Sequence, residues 1–408
     1  MQRRVFLRLA GAAGAGLLWT CASRDVSAPP PPEPVALLPP PLELGSAGVS
    51  VAISQWPDGA DAAAMVSVDD FCQVNLGPAY DFGGSWAPYG GLASPTSDPP
   101  QRAGQTAGES SERFLLSDVL GRHPGVKVTL NTITAMRQDP RSFDALPAPH
   151  PLSDAPAWDA VVKGLQSNCP GLSLGWHGYS HYNSDRHSSE EFLQYDSNQT
   201  RRALDAMEYQ GQESGLTFNR AFRPPGWATT PQLLEELARR GYTLLDNSQM
   251  PTFASFRPGY ILTPQGRALF AISTSFTLPP SAVLGQNGLW VLHFHMTAPN
   301  SNAVFDESVR DAALQFIEQH ASPGAIQLAW LSPEEVRAAY DAAARVRWTA
   351  SLSGTRVTIS ITDGTALARG ITWMVAGGAS DVVLDAGTPG PQWTVVDRSG
   401  TLKLVVTG

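Results

Sequence analysis

Strand-like and helix-like segments alternate along most of the chain, and this alternation limits the possible folds more than any other feature. Strands and helices at this spacing are typical of parallel βα units. About seven such units predict an α/β fold whose sheet closes into a distorted (β/α) barrel. In barrels of this kind the chemistry lies at the C-terminal ends of the strands. The predicted strands are 126–131, 172–176, 242–245 and 289–294, and the predicted helices are 110–120, 157–165, 190–209, 231–240 and 307–320.

The composition excludes several classes of protein. A chain of 408 residues with 42% hydrophobic content can build a large core and is long for a single domain. Charged residues make up only 16% of the chain and form no basic patch, which argues against disorder and nucleic-acid binding. Cys72 and Cys169 could pair in an oxidising compartment or remain as two buried free thiols.

Residues 1–28 are typical of an export signal. The Arg3-Arg4 pair, followed by hydrophobic residues, resembles the bacterial twin-arginine pattern. The apolar run that follows at 9–19 is too short to anchor the chain across a bilayer. We therefore expect a periplasmic or extracellular protein. Residues 18–21 resemble a degenerate lipoprotein processing site that ends at Cys21, although Trp19 is bulky for one, so a soluble form and a lipid anchor at Cys21 are both open.

Three further regions follow the signal. Residues 29–47 are rich in proline and predict a stiff, extended linker. Residues 48–345 form the predicted barrel, with a first strand at 49–53. Residues 346–408 alternate with period two between Gly and Asp residues, which predicts a small all-β, sandwich-like domain. This C-terminal domain could bind carbohydrate or cover the barrel, and a structural cap is the favoured interpretation.

Two adjacent carboxylates, Asp69 and Asp70, end a predicted buried strand. Neighbouring carboxylates repel each other unless a cation or a proton is present. An acidic turn after a strand is the alternative interpretation.

His177 and His181 follow the strand at 172–176 and stand four residues apart. Two imidazoles at that spacing can chelate a divalent metal, although exposed loop histidines also occur at this spacing by chance. With one Asp they make three protein ligands, which leaves positions for water and substrate. The other Asp is then available as a general base.

Three later strand ends carry more residues of this kind. Arg223 opens the turn Arg223-Pro224-Pro225-Gly226 and could pair with a buried carboxylate or lie exposed in a proline-rich turn. Asp246 ends the next strand, as part of the site or as a turn cap. His293 and His295 lie on one face of a later strand. An Asp–His pair there could donate a proton to a leaving amine or alcohol.

Taken in order, these motifs resemble the polysaccharide deacetylase family, also called carbohydrate esterase family four or the NodB-like family. The resemblance covers about residues 60–300. This chain departs from the family pattern after the third motif. The family often has an aromatic residue there, whereas this chain has Gly226, followed by Trp227. The five matching motifs are Asp69-Asp70, His177 with His181, Arg223 to Pro225, Asp246, and His293 or His295.

The resemblance implies a metal-dependent hydrolase that removes acetyl groups from an N- or O-acetylated polysaccharide or oligosaccharide. It implies that Asp69 is the general base and that Arg223 orients it. Asp246 and one of His293 or His295 would form the acid pair. Asp70, His177 and His181 would bind a divalent metal, most often zinc.

Two other functions are compatible with these residues. The first is a non-catalytic carbohydrate-binding or cell-wall-binding module on the same fold. The second is an iron oxygenase with two histidines and one carboxylate. The oxygenase is disfavoured because its chemistry has no evident use for a second adjacent Asp or for the Arg-Pro-Pro turn.

Overall fold

The structure is a computed structural model, and it describes thirteen stretches of the chain that all fall in the unit Val35–Gly408. They are 37–45, 48–71, 119–134, 155–179, 191–193, 195–246, 258–273, 288–295, 315–320, 327–362, 367–387, 390–398 and 400–408.

Seventeen strands and four longer helices are described, and we number each kind in chain order. The strands are β1 (Leu42–Leu44), β2 (Val49–Ile53), β3 (Ala62–Phe71), β4 (Val128–Thr132), β5 (Leu172–Trp176), β6 (Phe218–Phe222), β7 (Thr243–Asp246), β8 (Gly259–Leu262), β9 (Ala268–Ser273), β10 (Leu289–His295), β11 (Leu328–Trp330), β12 (Trp348–Ser353), β13 (Arg356–Ile361), β14 (Thr372–Ala376), β15 (Asp381–Asp385), β16 (Trp393–Arg398) and β17 (Thr401–Val406). The helices are α1 (Ala155–Asn168), α2 (Ser197–Ser214), α3 (Pro231–Arg240) and α4 (Pro333–Arg345), and residues 315–320 are also helical.

Nine strands form the larger sheet, and seven consecutive neighbours in it run parallel. Their order is β10-β3-β4-β5-β6-β7-β9, with β8 antiparallel at the outer edge and β11 parallel to the start of β3. Helices α1, α2 and α3 connect β4, β5, β6 and β7 in turn. The expected βα alternation is therefore confirmed for these units. After β7 the described residues hold the hairpin of β8 and β9, which the sequence pattern did not indicate.

The sheet curls so that distant strands share one interior. Alternate residues of a strand lie on one face, and on β3 Ala63 and Met65 face inward. They pack in one cluster with Phe270 of β9 and Val291 of β10, although β9 and β10 stand at opposite ends of the parallel series. The other face of β3 packs in a second cluster with residues such as Val162 of α1. An interior shared by both ends of the parallel series, with helices on the other face, is typical of a distorted (β/α) barrel, as the sequence predicted.

The C-terminal strands form a sandwich of two sheets. One sheet has the order β1-β2-β14-β17-β16, and the other has the order β12-β13-β15. Val51, Trp373 and Leu404 from the first sheet share a buried core with Val357 and other residues of the second.

The strand at 49–53 exists but does not belong to the barrel, where the sequence analysis placed it. It pairs antiparallel with β14, with Val51 opposite Val375 and Ile53 opposite Trp373. The barrel is therefore an insertion between β2 and the remaining strands of the sandwich. Local sequence could not show this, because one of the two paired strands precedes the barrel in the sequence and the other follows it.

The segment between β2 and β3 joins the sandwich to the barrel by hydrogen bonds. Ser54 N–H donates to the carbonyl of Thr372 at 2.8 Å. The Lys403 ammonium is buried, donates to the Gly59 carbonyl at 2.9 Å and contacts the Asp61 carboxylate. Asp61 directly precedes β3, so the sandwich fixes the point at which this barrel strand begins.

Helix α2 starts later than the sequence pattern predicted. The sequence predicts a helix at 190–209. The observed helix instead begins at Ser197, because Asp196 caps its N-terminus. The Asp196 carboxylate accepts from Gln199 N–H at 2.8 Å, and the Gln199 side chain accepts from Asp196 N–H at 2.9 Å, which is a capping box. The predicted helix at 110–120 lies almost wholly outside the described residues, as do Cys21 and Cys72.

Two smaller observations complete the description of the fold. Cys169 is a free, half-buried thiol. Within the described stretches, no helix has the length and apolar character needed to cross a membrane.

We expect Lys403→Met to lower the free energy of unfolding by about 2 kcal/mol, because it removes a buried cation from Asp61 while keeping the aliphatic stem. Urea denaturation would measure the change. The matched control is Arg356→Met in the same sandwich. Arg356 pairs with Asp381, and the two side chains are 63% and 42% exposed, respectively. An exposed pair contributes about 1 kcal/mol or less. Equal losses in the two variants would contradict the anchoring role of Lys403.

Candidate active site

The Asp69 carboxylate is the centre of a buried polar cluster at the C-terminal ends of the barrel strands. Asp69 continues the inward-facing series of β3 and is 2% exposed. Asn131 at the end of β4 donates from Nδ2 to Asp69 Oδ1 at 2.8 Å. Arg223, directly after β6, donates from Nε to Oδ2 at 3.2 Å, and His293 Nε2 on β10 lies 3.0 Å from the same oxygen. Parallel strands place their C-terminal ends at one edge, so four distant segments meet here.

The neighbours of Asp69 determine its charge. Burial by itself raises the pKa of this carboxyl, because the charged form loses its hydration. The Arg223 guanidinium and the imidazoles of His177 and His293 outweigh burial, so that the pKa of Asp69 lies well below its usual range. Asp69 is therefore a carboxylate at neutral pH, although almost no solvent reaches it.

The orientation of His177 can be derived from one hydrogen bond. Its Nδ1 lies 2.8 Å from the backbone carbonyl oxygen of Arg223, and a carbonyl oxygen can only accept. Nδ1 therefore carries the proton, and in the neutral ring Nε2 carries the lone pair. Nε2 lies 3.8 Å from Asp69 Oδ2. A histidine held in this way through Nδ1 fits a metal ligand, because a carbonyl partner on the other nitrogen is the usual arrangement around metal sites.

Tight packing fixes the turn after His177. Gly178 has a positive φ of 79°. A Cβ atom at Gly178 would stand 2.3 Å from Glu191 Oε2 and 2.7 Å from Pro225 Cγ, so that only glycine fits. Glu191 is fully buried, and its Oε1 accepts from Tyr179 N–H at 3.2 Å. The turn that carries His177 is thus held between Glu191 and the turn that carries Arg223.

An aromatic side chain covers the cluster. The Arg223 guanidinium carbon lies 3.6 Å from the centre of the Trp227 ring. The Trp227 and His293 ring centres lie 4.9 Å apart with an interplanar angle of 71°, which is an edge-to-face contact. Trp227 therefore touches both Arg223 and His293, the two side chains that meet at Asp69 Oδ2.

The structure brings together Asp69, His177, Arg223 and His293 of the predicted site. Asp70, Asp246 and His295 lie on strands β3, β7 and β10, and the structure describes only their backbone. His181 lies outside the described residues. Within the described part of the chain, no group of three His, Cys, Asp or Glu residues is arranged to hold a metal.

Three residues of the site were not predicted. Asn131 ends a predicted strand as the other site residues do, and this shared position was the signal that could have identified it. Trp227 stood next to a recognised motif but one place beyond the expected aromatic. Glu191 offered no signal, because it precedes a helix and reaches the site only through the fold.

Solved structures similar to this chain share little sequence with it. A polysaccharide deacetylase from Mycobacterium smegmatis is 15% identical, with 74% of this chain and 95% of that chain covered and a TM-score of 0.44. The PuuE allantoinase is 12% identical, with 71% and 93% covered and a TM-score of 0.44. A family 4 acetyl xylan esterase from Clostridium thermocellum, in complex with cobalt, is 12% identical, with 62% of this chain and 84% of that chain covered and a TM-score of 0.30.

Several of the similar structures are thus polysaccharide deacetylases or family 4 carbohydrate esterases, the family that the sequence motifs resemble. No protein-family model matches the chain. No curated protein matches it. At these identities and TM-scores the likeness says nothing about activity.

Proposed function

We propose that this chain is an exported, metal-dependent hydrolase that removes acetyl groups from an N- or O-acetylated polysaccharide or oligosaccharide. The observation that carries the proposal is the Asp69 carboxylate, which is buried, ionised and shared by Arg223 and His293 at a single oxygen. A barrel core has no structural need for this arrangement, because apolar side chains of similar volume pack there at no cost in desolvation. Its position at the C-terminal ends of the strands is where barrels carry chemistry.

The proposal assigns a divalent metal, most often zinc in such sites, to Asp70, His177 and His181. His177 supports it, because its Nδ1–H is bound to a carbonyl and its Nε2 is directed to the Asp69 side of the cluster. When bound, the metal supplies a Lewis acid that polarises the acetyl carbonyl and lowers the pKa of a water molecule.

The residues of the chain carry the proton transfers in this proposal. Asp69 accepts a proton from the attacking water as general base, and Arg223 keeps it ionised and fixed in orientation. His293 is the favoured acid of the two histidines on β10, because its Nε2 already lies 3.0 Å from Asp69. It donates a proton to the leaving nitrogen or oxygen of the sugar, with Asp246 as its proposed partner.

The proposed location is outside the cytoplasm. The Arg3-Arg4 pair and the short apolar run of residues 9–19 support export, and both a soluble form and a lipid anchor at Cys21 fit the proposal. The proline-rich residues 29–47 would then separate the folded body from the site of attachment.

The purified chain should contain about one equivalent of zinc by elemental analysis and should release acetate from acetylated glycans. The double variant His177→Ala, His181→Ala should lose the metal, because three protein ligands are needed to hold it. His293→Ala is the matched control, since it removes another histidine of the same cluster and should keep the metal. A chain that holds no zinc even after its addition, and releases no acetate, would favour a non-catalytic carbohydrate-binding module instead.

Replacing Asp69 by Asn should lower the turnover number for acetate release by about 100-fold to 10,000-fold, because the general base is lost. The variant should also lose about 3 kcal/mol of stability, because Arg223 is left as a buried charge. Asp61→Asn is the control, as it removes a carboxylate paired with Lys403 away from the site. Turnover of the Asp69→Asn protein at the rate of the parent would rule out this assignment.

Gly178→Ala should weaken zinc binding by about tenfold to 100-fold, because the added methyl group displaces the His177 turn from Glu191 and Pro225. A chelator competition assay would measure the change. Gly215→Ala is a close control, since Gly215 has a positive φ of 64° but no atom within 4 Å of the added Cβ. This control shares the backbone strain without the clash. Equal zinc affinities in the two variants would show that the packing around Gly178 does not position His177.

A further inference from the structure

Trp227 has a backbone conformation that a tryptophan rarely adopts. Its φ is 61°, directly after Gly226 with a φ of 60°. Among the described residues, Asp58 is the one other non-glycine residue with a positive φ, and Asp tolerates this region because its short side chain can bond locally. Bulky residues persist there only where the surroundings impose the conformation, and such residues cluster at functional sites.

The strained turn directs the indole ring back toward Arg223, four residues earlier. The Arg223 guanidinium carbon lies 3.6 Å from the ring centre, and the guanidinium is fully buried. A guanidinium over the face of an indole is attracted by the negative face of the ring, and the attraction increases when the pair is desolvated. The ring face therefore restricts rotation of the same guanidinium whose Nε donates to Asp69.

The same ring also contacts His293. The two rings meet edge to face at 4.9 Å between centres, and His293 Nε2 is the atom that lies 3.0 Å from Asp69 Oδ2. One side chain thus touches both groups that share this carboxylate oxygen.

The turn that carries Trp227 is rigid. Pro224 and Pro225 fix their own φ angles, Trp227 N–H donates to the Pro224 carbonyl at 3.0 Å, and Ala228 N–H donates to the Pro225 carbonyl at 3.3 Å. These bonds fix the backbone that carries the ring.

Other arginine–aromatic contacts in the described residues are looser. The guanidinium carbon of Arg220 lies 5.6 Å from the Tyr242 ring centre, and that of Arg337 lies 5.9 Å from the Tyr260 ring centre. The close contact thus occurs at the arginine that binds the buried carboxylate. We propose that Trp227 is a positioning residue: its face holds Arg223, and its edge-to-face contact holds the His293 ring, in the orientations in which both meet Asp69.

The geometric part of this proposal stands on the contacts alone, and its catalytic consequence rests on the proposed function. Trp227 acts through Arg223 and His293 without contacting the reacting atoms. Its loss should therefore lower the turnover number by about tenfold to 100-fold, the effect of small misplacements of catalytic groups, and leave KM unchanged. An aromatic platform for a sugar ring would behave in the opposite way, with KM raised and the turnover number kept.

The test begins with a measurement that needs no activity. In protein labelled with ¹⁵N-arginine, the Arg223 Nε–H signal is identified by its absence in Arg223→Lys. We expect an upfield ring-current shift and slow exchange with water in the parent. In Trp227→Leu the shift should be lost and exchange should be at least about tenfold faster, whereas Trp227→Phe, which keeps an aromatic face, should retain most of both.

Tyr260→Leu is the matched control, since it removes an aromatic partner of another arginine and should leave the Arg223 signal and the turnover number unchanged. If Trp227→Leu does not fold, Trp227→Gly replaces it, because glycine accepts the positive φ and also removes the ring. An Arg223 signal with unchanged shift and exchange after loss of the ring would overturn the proposal, as would a raised KM with unchanged turnover. Absence of acetate release from the parent itself would count against the proposed function, and the Arg223 signal would still decide the role of Trp227.

Discussion

The burial of one carboxylate is the constraint on which the site depends. An ionised carboxylate without solvent is costly unless cations and hydrogen-bond donors replace the water that it loses. Asp69 obtains them from Asn131, Arg223 and His293, which come from three different segments of the chain. Arg223 is itself fully buried and has the same need for a partner. The charges of Asp69 and Arg223 therefore offset each other's cost of burial. The ends of β3, β4, β6 and β10 must lie together for the two buried charges to be stabilised.

The two turns that surround Asp69 are coupled as well. The carbonyl of Arg223 accepts from His177 Nδ1, and Pro225 packs against Gly178 in the neighbouring turn. A displacement of one turn would therefore displace the other. The proposed metal ligand His177 and the proposed orienting residue Arg223 are thus parts of one rigid unit, and a catalytic geometry needs this rigidity because small misplacements cost rate.

The sequence predicted those features that depend on local pattern. Strand Leu172–Trp176 and helix Pro231–Arg240 have the predicted bounds, since an apolar run defines the first and Thr230 and Gly241 cap the second. Asp69, His177, Arg223 and His293 could be predicted as neighbours because each follows or ends a strand, and the C-terminal ends of the strands of a parallel barrel lie together. Pairing of β2 with β14 could not be predicted, since the partners are separated by the whole barrel. The contact of Trp227 with Arg223 was equally hidden, because it depends on a positive φ that no tryptophan favours.

The sandwich bears on the site through strand β3. Strand β2 precedes the barrel in the chain, and its partner β14 follows it. The two strands can pair only when the segments that enter and leave the barrel lie side by side. Lys403 of the sandwich binds Gly59 and Asp61 immediately before β3 begins, and Arg223 binds Asp69 near the other end of the same strand. The strand that presents the central carboxylate is therefore fixed at both ends by charged contacts. This favours the interpretation of the sandwich as a structural cap, since its described residues bind the chain just before β3 and contribute no side chain to the contacts of Asp69.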